Sequence, residues 1–324
     1  MIGSLKRYKS KWEFMYMNVF IIGGTNFIGP ATVRELLKAG HRITLFHRSA
    51  GNDADGYTHI QGDCENVEDL KSAIKKAGPD VIIHMVAYYQ SHIAVLEKAL
   101  GGHVMKTIII SSADVYKGYE VLTELSDANP VSVPFMEQSP LRDVLFPYRG
   151  KLDIDIAHDY DKILVERAAL QSSLLDAVIL RLGMVYGEND PNRRFADPIR
   201  KMASGAKSIE IAKGMAGFCA CKSYVENIAH GVALAVVKGQ VGEVYNLADK
   251  WVFTEYEWLE LLANELNWSG KIVTLDEEIP GMNAKQHFVL DTDKIRKSLG
   301  YKEIVSINRA LSNTIEWELR KPGE

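Results

Sequence analysis

Short apolar runs alternate with helix-like patterns along most of this 324-residue chain. The clearest run covers 19–22 and breaks at Gly23 and Gly24, after which apolar residues follow at helical spacing until Gly40. A short run without polar positions is typical of a parallel strand that is covered on both faces. The pattern therefore predicts a strand, a glycine turn and a helix, in that order.

The same alternation continues as far as position 183. Strands separated by helical patterns imply right-handed βαβ crossovers. We therefore predict an α/β fold with a doubly wound parallel sheet of the Rossmann type and a smaller C-terminal substrate lobe. The predicted strands cover 42–46, 60–63, 81–86, 106–111 and 177–182, and the predicted helices cover about 66–77, 90–100 and 157–172.

These patterns also divide the chain into domains. We expect a dinucleotide-binding domain over 17–183, with 225–250 returning to its sheet, and a substrate lobe over 184–224 and 251–324. Residues 1–16 are basic and aromatic and lack the apolar stretch of a signal peptide. We interpret them as an N-terminal extension.

Two segments carry signals of their own. Residues 117–156 contain four prolines and no sustained period, which is typical of a lid or substrate wall, with disorder as the alternative. Near the C-terminus, Thr254 precedes an apolar pattern and Glu257 stands three residues later, which is the sequence of a capping box. The helix predicted there covers 252–267.

Composition narrows the functional classes. The 38 basic and 42 acidic residues give a net charge of −4, so no global positive field is available to hold nucleic acid. Cys64, Cys219 and Cys221 provide neither a disulfide framework nor a zinc spacing, and we expect no metal. No apolar run approaches the ~20 residues that cross a bilayer. We expect a cytoplasmic protein without a nucleic-acid or membrane partner, and a homodimer is left open.

The glycine turn is the first candidate site. A turn between a strand and a helix aims backbone N–H groups and the positive end of the helix dipole at one point, which suits a pyrophosphate. Position 26 holds Asn where the dinucleotide fingerprint has glycine, and we expect Asn26 to tolerate a positive φ. A tight turn without a ligand is the alternative. The predicted cofactor contacts here are Gly23, Gly24, Thr25, Asn26, Phe27, Ile28 and Gly29.

The turn Gly-Gly-Thr-Asn-Phe-Ile-Gly resembles the variant found in atypical members of the extended short-chain dehydrogenase/reductase superfamily, the NAD-dependent epimerase/dehydratase family. Further resemblances extend from Met17 over nearly the whole chain. Residues 111–116, Ser-Ser-Ala-Asp-Val-Tyr, are similar to the family's Ser/Thr-x-x-Val-Tyr. By this resemblance Ser112 orients a substrate C–O group. Asp114 stands where the sugar-nucleotide dehydratases carry an acid, with a turn carboxylate as the alternative.

Strand ends supply the remaining cofactor predictions. The second strand ends at His47 and Arg48 and not at a carboxylate, which favours the 2′-phosphate of NADP over the 2′-OH of NAD. NAD stays open if Arg48 only stacks on the adenine. The resemblance implies that Asp63 meets the adenine, with Cys64 beside it, and that Ala87 lines the pyrophosphate and ribose.

The catalytic dyad departs from the family pattern. Family members use Tyr-x-x-x-Lys on a helix, where a spacing of four places both side chains on one face. Here Lys162 matches the ribose-binding lysine, but the tyrosine position holds His158. On such a helix Tyr160 would lie roughly 200° around from Lys162, off that face. The predicted base is therefore His158, with a surface histidine as the alternative and with three phenols as stand-ins, namely Tyr88, Tyr89 and Tyr148.

Substrate contacts are predicted from both halves of the chain. Tyr88 and Tyr148 are the predicted substrate-binding phenols. Residues 181–187 resemble the family's segment that opens onto the substrate lobe, and Arg193 and Arg194 follow it. Arginine binds phosphate groups bidentately, so these two are predicted to hold a substrate phosphate, with a solvated pair as the alternative.

The predicted function is an NAD(P)-dependent oxidoreductase, epimerase or dehydratase that acts by hydride transfer on a sugar-like small molecule, with nucleotide-linked sugars included. The absence of the tyrosine leaves open a non-catalytic dinucleotide-binding sensor or scaffold. A third hypothesis is RNA binding, because the turn also resembles that of chloroplast stem-loop-binding proteins. The acidic balance and the lack of a basic, aromatic-interleaved stripe count against it.

Overall fold

A computed structural model describes residues 16–49, 56–153, 155–277 and 279–320, so the extension at 1–16 lies, apart from Tyr16, outside the described residues. The strands are β1 (Asn18–Ile22), β2 (Arg42–His47), β3 (Thr58–Gln61), β4 (Val81–His84), β5 (Met105–Ser112), β6 (Leu175–Leu182), β7 (Met184–Tyr186), β8 (Ser208–Ala212), β9 (Cys219–Tyr224), β10 (Val244–Leu247), β11 (Val252–Thr254) and β12 (Lys271–Leu275). The helices are α1 (Ile28–Lys38), α2 (Val67–Ala77), α3 (Gln90–Leu100), α4 (Lys117–Leu122), α5 (Asp155–Asp159), α6 (Lys162–Gln171), α7 (Ala196–Ala203), α8 (Lys213–Ala216), α9 (Val225–Lys238), α10 (Glu255–Glu265), α11 (Asp293–Leu299) and α12 (Ile307–Arg320).

A seven-stranded sheet forms the centre, in the order β10-β6-β5-β4-β1-β2-β3. Every neighbouring pair in this sheet is parallel. The strand order reverses between β1 and β4, and in open α/β sheets the ligand crevice forms at such a point, outside the carboxyl ends of the strands. The predicted α/β fold with a parallel Rossmann sheet is confirmed.

The sheet is covered on both faces. Val19 and Ile21 of β1 belong to an apolar cluster with α1 and α9, whereas Phe20 and Ile22 belong to a second cluster with α2, α3 and α6. Successive side chains of a strand point to opposite faces, so a strand covered on both sides must be apolar throughout. The continuous apolar run at 19–22 has this cause.

The remaining strands form two small sheets, one in the order β11-β9-β7 and one that pairs β12 with β8. Between them the chain returns to the main sheet, where β10 pairs in parallel with β6. This return matches the expectation that 225–250 rejoins the sheet. The domain boundaries at 183, 224 and 250 stay a prediction.

The proline-rich segment is anchored to the protein over its described part, 117–153. It contains α4, and the ring of Phe135 is buried and stacks on that of Tyr116 at a centroid distance of 5.3 Å. The carboxylate of Glu120 accepts hydrogen bonds from the backbone N–H groups of Asp143 and Val144, at 2.8 and 3.2 Å. Disorder is therefore wrong for this part of the chain.

The helix predicted over 157–172 is wrong in its first turn, because the chain forms two helices there. α5 ends at Asp159 and α6 begins at Lys162. Asp161 has an extended backbone (φ −157°, ψ 108°), and its carboxylate accepts a hydrogen bond from the N–H of Ile163 at 2.9 Å. An N-cap residue with this geometry starts a helix and does not continue one, so Tyr160 lies outside α6.

The capping box is confirmed. The Thr254 hydroxyl accepts from the N–H of Glu257 at 3.1 Å, and the Glu257 carboxylate accepts from the N–H of Thr254 at 2.7 Å. The helix therefore starts at Glu255 and not at 252, because the three preceding residues form β11.

Candidate functional site

The glycine turn joins β1 to α1 at the crevice. Gly23 and Gly24 have φ values of +88° and +85°, in the region that favours glycine. A Cβ added at Gly29 would lie 2.2 Å from the carbonyl oxygen of Gly24, so only glycine lets α1 approach the turn this closely. The expectation of a positive φ at Asn26 is wrong, because Phe27 adopts it instead, at 49°.

The start of α1 is free of side-chain caps and of acidic residues in its first turn. Uncapped N–H groups at a helix start can bind an anion, and the helix dipole favours it there. A cavity of about 360 Å³ runs along the turn, which fits the pyrophosphate of a dinucleotide. It is lined by Gly23, Gly24, Thr25, Asn26, Phe27, Ile28, Gly29, Met85, Val86, Tyr88, Ile110 and Pro191.

All seven residues predicted from the turn line this cavity, and four of its lining residues were not predicted. Met85 and Val86 follow β4, and Ile110 lies near the end of β5. The carboxyl ends of these strands were a usable signal for them. Pro191 comes from the segment after β7, for which the sequence offered no signal.

The end of β2 has the basic character that was predicted. The Nε2 atom of His47 lies 2.7 Å from Nδ1 of His59, so its ring is engaged by a residue of β3. Arg48 is exposed at the strand end. Asp63 accepts from the N–H of Glu65 at 3.0 Å, as in a turn. Cys64 is half-buried, and this burial raises the pKa of its thiol to about 11.

A buried carboxylate lies beyond the end of β5. The Ser112 hydroxyl accepts from the N–H of Asp114 at 3.2 Å and starts a single 3₁₀ turn over 113–115. Asp114 is 4% exposed. Burial raises the pKa of its carboxyl above the ordinary value, and the charges of Arg142 and Lys162 oppose that rise.

Two phenols donate to the same oxygen of this carboxylate. The hydroxyl of Tyr160 lies 2.8 Å from Oδ2 of Asp114, and that of Tyr148 lies 3.1 Å from it. The pKa of each phenol is raised, first by burial and then by the negative charge of Asp114. The pair therefore stays protonated, and its O–H groups act as donors.

Lys162 lies beside this group at the first position of α6. Its Nζ donates to the carbonyl oxygens of Ala87 and Ile110, at 2.8 and 2.9 Å. Nζ also lies 5.0 Å from the ring centroid of Tyr88 and 5.7 Å from that of Tyr160. Burial lowers the pKa of Lys162 to about 8. The lysine therefore lies between the β4 and β5 ends and the phenol group.

The arrangement expected for His158 is wrong. His158 lies in α5, separated from α6 by a break, so it shares no helix face with Lys162. Its side chain is 71% exposed and its Nδ1 lies 2.8 Å from a carboxylate oxygen of Asp159. The argument that put Tyr160 off the face of Lys162 fails for the same reason, because Tyr160 is not in the helix.

Of three further residues predicted near the site, only Tyr88 lines the cavity. Tyr88 is half-buried and lines the cavity, with its ring 6.1 Å from that of Tyr160. Tyr89 instead stacks on His92 at a centroid distance of 4.8 Å. The side chain of Ala87 is fully buried in the core, so it does not line the cleft, and the contribution of this residue is its carbonyl oxygen.

The two arginines of the lobe form ion pairs within the chain. Arg193 donates to the Glu318 carboxylate, with contacts of 3.1 and 2.5 Å. Arg194 donates to both carboxylate oxygens of Asp190, at 2.8 and 3.0 Å. Their solvated-pair alternative is therefore wrong, and their binding of a substrate phosphate stays a prediction.

The described ranges offer neither a metal site nor a membrane-spanning helix. No group of three or more histidine, cysteine, aspartate or glutamate side chains there is placed to hold a metal ion. None of the helices in those ranges is both long and apolar enough to cross a membrane.

Residues 19–116 match the NAD dependent epimerase/dehydratase family. The decarboxylating sterol-4-alpha-carboxylate 3-dehydrogenase of Dictyostelium discoideum is 21% identical, over 91% of this chain and 98% of its own. The dTDP-glucose 4,6-dehydratase of Haemophilus influenzae is 22% identical, over 94% of this chain and 98% of its own. Among solved structures, dTDP-glucose 4,6-dehydratase of Bacillus anthracis in complex with NAD has a TM-score of 0.68 at 18% identity, covering 94% of this chain and 97% of that one.

The solved structure informs the fold, and the family match and the curated relatives inform the family. The solved structure shares the fold over nearly its whole length. The matched segment contains both the glycine turn and Asp114, and the resemblance to the extended short-chain dehydrogenase/reductase proteins is confirmed. The family is enzymatic, and the structural neighbour binds NAD.

Proposed function

We propose that this protein, whose residues 19–116 match the NAD dependent epimerase/dehydratase family, is an NAD(P)-dependent enzyme acting on a hydroxyl or ketone of a sugar-like substrate. Nucleotide-linked sugars are included, and the reaction class is epimerase, dehydratase or reductase. One observation carries the proposal. The Tyr160 phenol donates to the buried Asp114 carboxylate, and the neighbouring Lys162 donates to the carbonyl oxygen of Ile110, a residue that lines the cavity at the glycine turn.

The cofactor half of the proposal rests on the turn. The backbone from Gly23 to Gly29 and the uncapped start of α1 would hold the pyrophosphate, and Lys162 would hold the ribose. A bound nicotinamide supplies or accepts the hydride. Arg48, exposed at the end of β2, favours NADP by its charge, whereas the structural neighbour binds NAD.

The acid–base half rests on Asp114. Burial and the negative charge of Asp114 raise the pKa of Tyr160, so its phenol favours the protonated form. We assign the base to the Asp114 carboxylate. As a substrate hydroxyl is oxidised, its proton passes to the phenol oxygen of Tyr160 while the phenol proton moves to Oδ2 of Asp114. Reduction reverses both transfers.

The substrate side of the proposal rests on one hydroxyl and two phenols near the acid–base group. Ser112 is half-buried, and its hydroxyl, which also hydrogen-bonds Tyr160, would orient a C–O group. Tyr88 and Tyr148, which are also half-buried, would contact the sugar-like ring. A cytoplasmic location and a homodimer stay predictions.

Binding and turnover are tested separately. Calorimetry with NAD⁺ and NADP⁺ is expected to show binding to the full chain and its loss in Gly24→Asp, which adds a carboxylate against the pyrophosphate. A thermal melt of Gly24→Asp checks its folding, because a Cβ there meets the Ile21 side chain at 2.9 Å. Unchanged affinity in a folded Gly24→Asp would refute the assigned turn.

Turnover is measured on a panel of UDP- and dTDP-linked hexoses by nicotinamide absorbance and product analysis. Asp114→Asn removes the base but keeps its shape, and we expect a loss of roughly 10²-fold or more. Full activity in that variant would exclude Asp114 as the base. Cofactor binding without turnover of any sugar would favour the non-catalytic sensor.

A further inference from the structure

We propose that the buried ion pair between Arg142 and Asp161 is a positioning device for the acid–base centre. It compensates for the short spacing between Tyr160 and Lys162. The inference rests on the proposed function and extends it, since it gives a role to two residues that were not predicted from the sequence.

Asp161 determines where Tyr160 lies. Its carboxylate, 1% exposed, caps α6 through the N–H of Ile163 and also accepts from the N–H of Phe146 at 2.7 Å. Its own N–H donates to the carbonyl oxygen of Tyr88 at 3.1 Å. With both ends of the residue held, the chain is extended just before Lys162, and the Tyr160 ring turns toward Asp114.

Arg142 connects that capping residue to the base. Its guanidinium lies 3.2 Å from Oδ1 of Asp161, and its Nε donates to the backbone carbonyl of Asp114 at 2.6 Å. A third contact goes from Nη1 to the carbonyl oxygen of Val144. One fully buried side chain therefore joins the end of β5, the start of α6 and the 141–148 segment that carries Tyr148.

The charge of Arg142 also acts on the base. The groups that act on the Asp114 carboxylate are the phenols of Tyr148 and Tyr160, the cations Arg142 and Lys162 and, behind Tyr148, the phenol of Tyr119. Both cations lower the pKa of Asp114. The midpoint of the Asp114 titration therefore reports the charges of the pair, with opposite signs for its two members. The size of the Tyr160 response reports the geometry of the Tyr160–Asp114 hydrogen bond, which a merely structural pair would not change.

The test uses the full chain labelled with ¹³Cζ-tyrosine and needs no substrate. The Tyr160 resonance, assigned with Tyr160→Phe, responds to ionisation of Asp114 through their hydrogen bond. Arg142→Gln removes a cation, so the midpoint of this titration is expected to rise by roughly one pH unit. Asp161→Asn keeps the cap acceptor but leaves Arg142 unneutralised, so the midpoint is expected to fall.

A second arginine–aspartate ion pair nearby serves as the matched control. Arg149 and Asp159 form an exposed ion pair between the segment after 148 and α5, with an N–O distance of 3.1 Å. Asp159→Asn is expected to leave the Tyr160 titration unchanged. Arg142→Lys keeps the charge without the fork, so it serves if Arg142→Gln does not fold. In Arg142→Lys the titration midpoint is expected to stay. The change in the Tyr160 chemical shift is expected to become smaller, because lysine lacks the planar guanidinium that contacts several acceptors at once.

The outcomes separate the two proposals. Midpoints that do not move, or that move in the same direction in Arg142→Gln and Asp161→Asn, overturn the effect of the pair's charges on the base. A Tyr160 response in Arg142→Lys as strong as in the wild type overturns the positioning role. If a substrate is turned over, Arg142→Lys is expected to lower kcat by roughly tenfold with little change in KM. Full turnover in Tyr160→Phe refutes the proposed acid–base centre, while the titration still decides whether Arg142 and Asp161 hold the phenol.

Discussion

The phenol oxygen of Tyr160 lies 2.8 Å from Oδ2 of Asp114. Tyr160 stands only two residues before Lys162, and not the four that one helical turn would require. The phenol reaches this position from an extended stretch before the helix, and not from one helical turn earlier. In this place the Tyr160 hydroxyl donates a hydrogen bond to a buried carboxylate. The proposed acid–base centre therefore depends on Asp114 more than on Lys162.

Tyr160 and His158 can be compared directly. Tyr160→Phe is expected to reduce turnover by roughly 10²-fold, because it removes the hydroxyl that passes the proton to Asp114. His158→Phe is expected to leave turnover unchanged, since that side chain points to solvent. Steady-state kinetics of both variants decide between them. The reverse result would restore His158 as the base.

Gly29 is expected to be irreplaceable. A methyl group there would meet the carbonyl oxygen of Gly24 at 2.2 Å, so Gly29→Ala should lower the free energy of unfolding by about 1–3 kcal/mol and weaken cofactor binding. Gly217→Ala is the control, because an added Cβ at that exposed helix end meets nothing within 4 Å. Urea unfolding measures both. Equal stability of the two variants would contradict the prediction.

Arg48 is expected to select the cofactor. Arg48→Ala should weaken NADP binding more than NAD binding, because only NADP carries a 2′-phosphate at that strand end. Arg42→Ala, at the opposite end of β2, is the matched control and should affect neither. Calorimetry with both dinucleotides checks this. A wild-type preference for NAD would also refute it.

Lys162 makes stability depend on pH. Burial lowers its pKa in the folded protein to about 8, whereas the ordinary value is 10.5. Between these values the unfolded chain binds more protons, so the free energy of unfolding rises with pH. The rise attributable to this group is at most roughly 3 kcal/mol. Urea unfolding on either side of pH 8 should show it in the wild type and not in Lys162→Met, and a constant difference between the two proteins would contradict it.

The parts of the fold that follow from local pattern could be predicted from sequence. The run at 19–22 is apolar because both faces of β1 are covered, and Thr254 caps a helix through contacts within three residues. Tyr160 was missed because a continuous helical period was assumed through 157–172. Asp161, directly before an apolar helical pattern, is a helix-start signal that would have corrected this.

Ion pairs between distant parts of the chain could not be predicted from the sequence. Arg193 pairs with Glu318, 125 residues later, and its neighbours in sequence do not indicate this partner. The Arg142–Asp161 pair is likewise a contact between a loop and a helix start. One sequence contains both partners of each pair and nothing that connects them.

The strand β10 joins the main sheet beside β6 although it comes late in the chain, which affects how the protein folds during synthesis. A nascent chain that has reached residue 183 contains β1 to β6, but β6 still lacks its second neighbour, β10. The helix α9, which covers β1 and α1 on one face of the sheet, has also not been made. Unpaired strand edges are sites of aggregation. The dinucleotide-binding sheet therefore becomes complete only after Leu247 has left the ribosome, and a fragment ending at 183 should not fold as an independent unit.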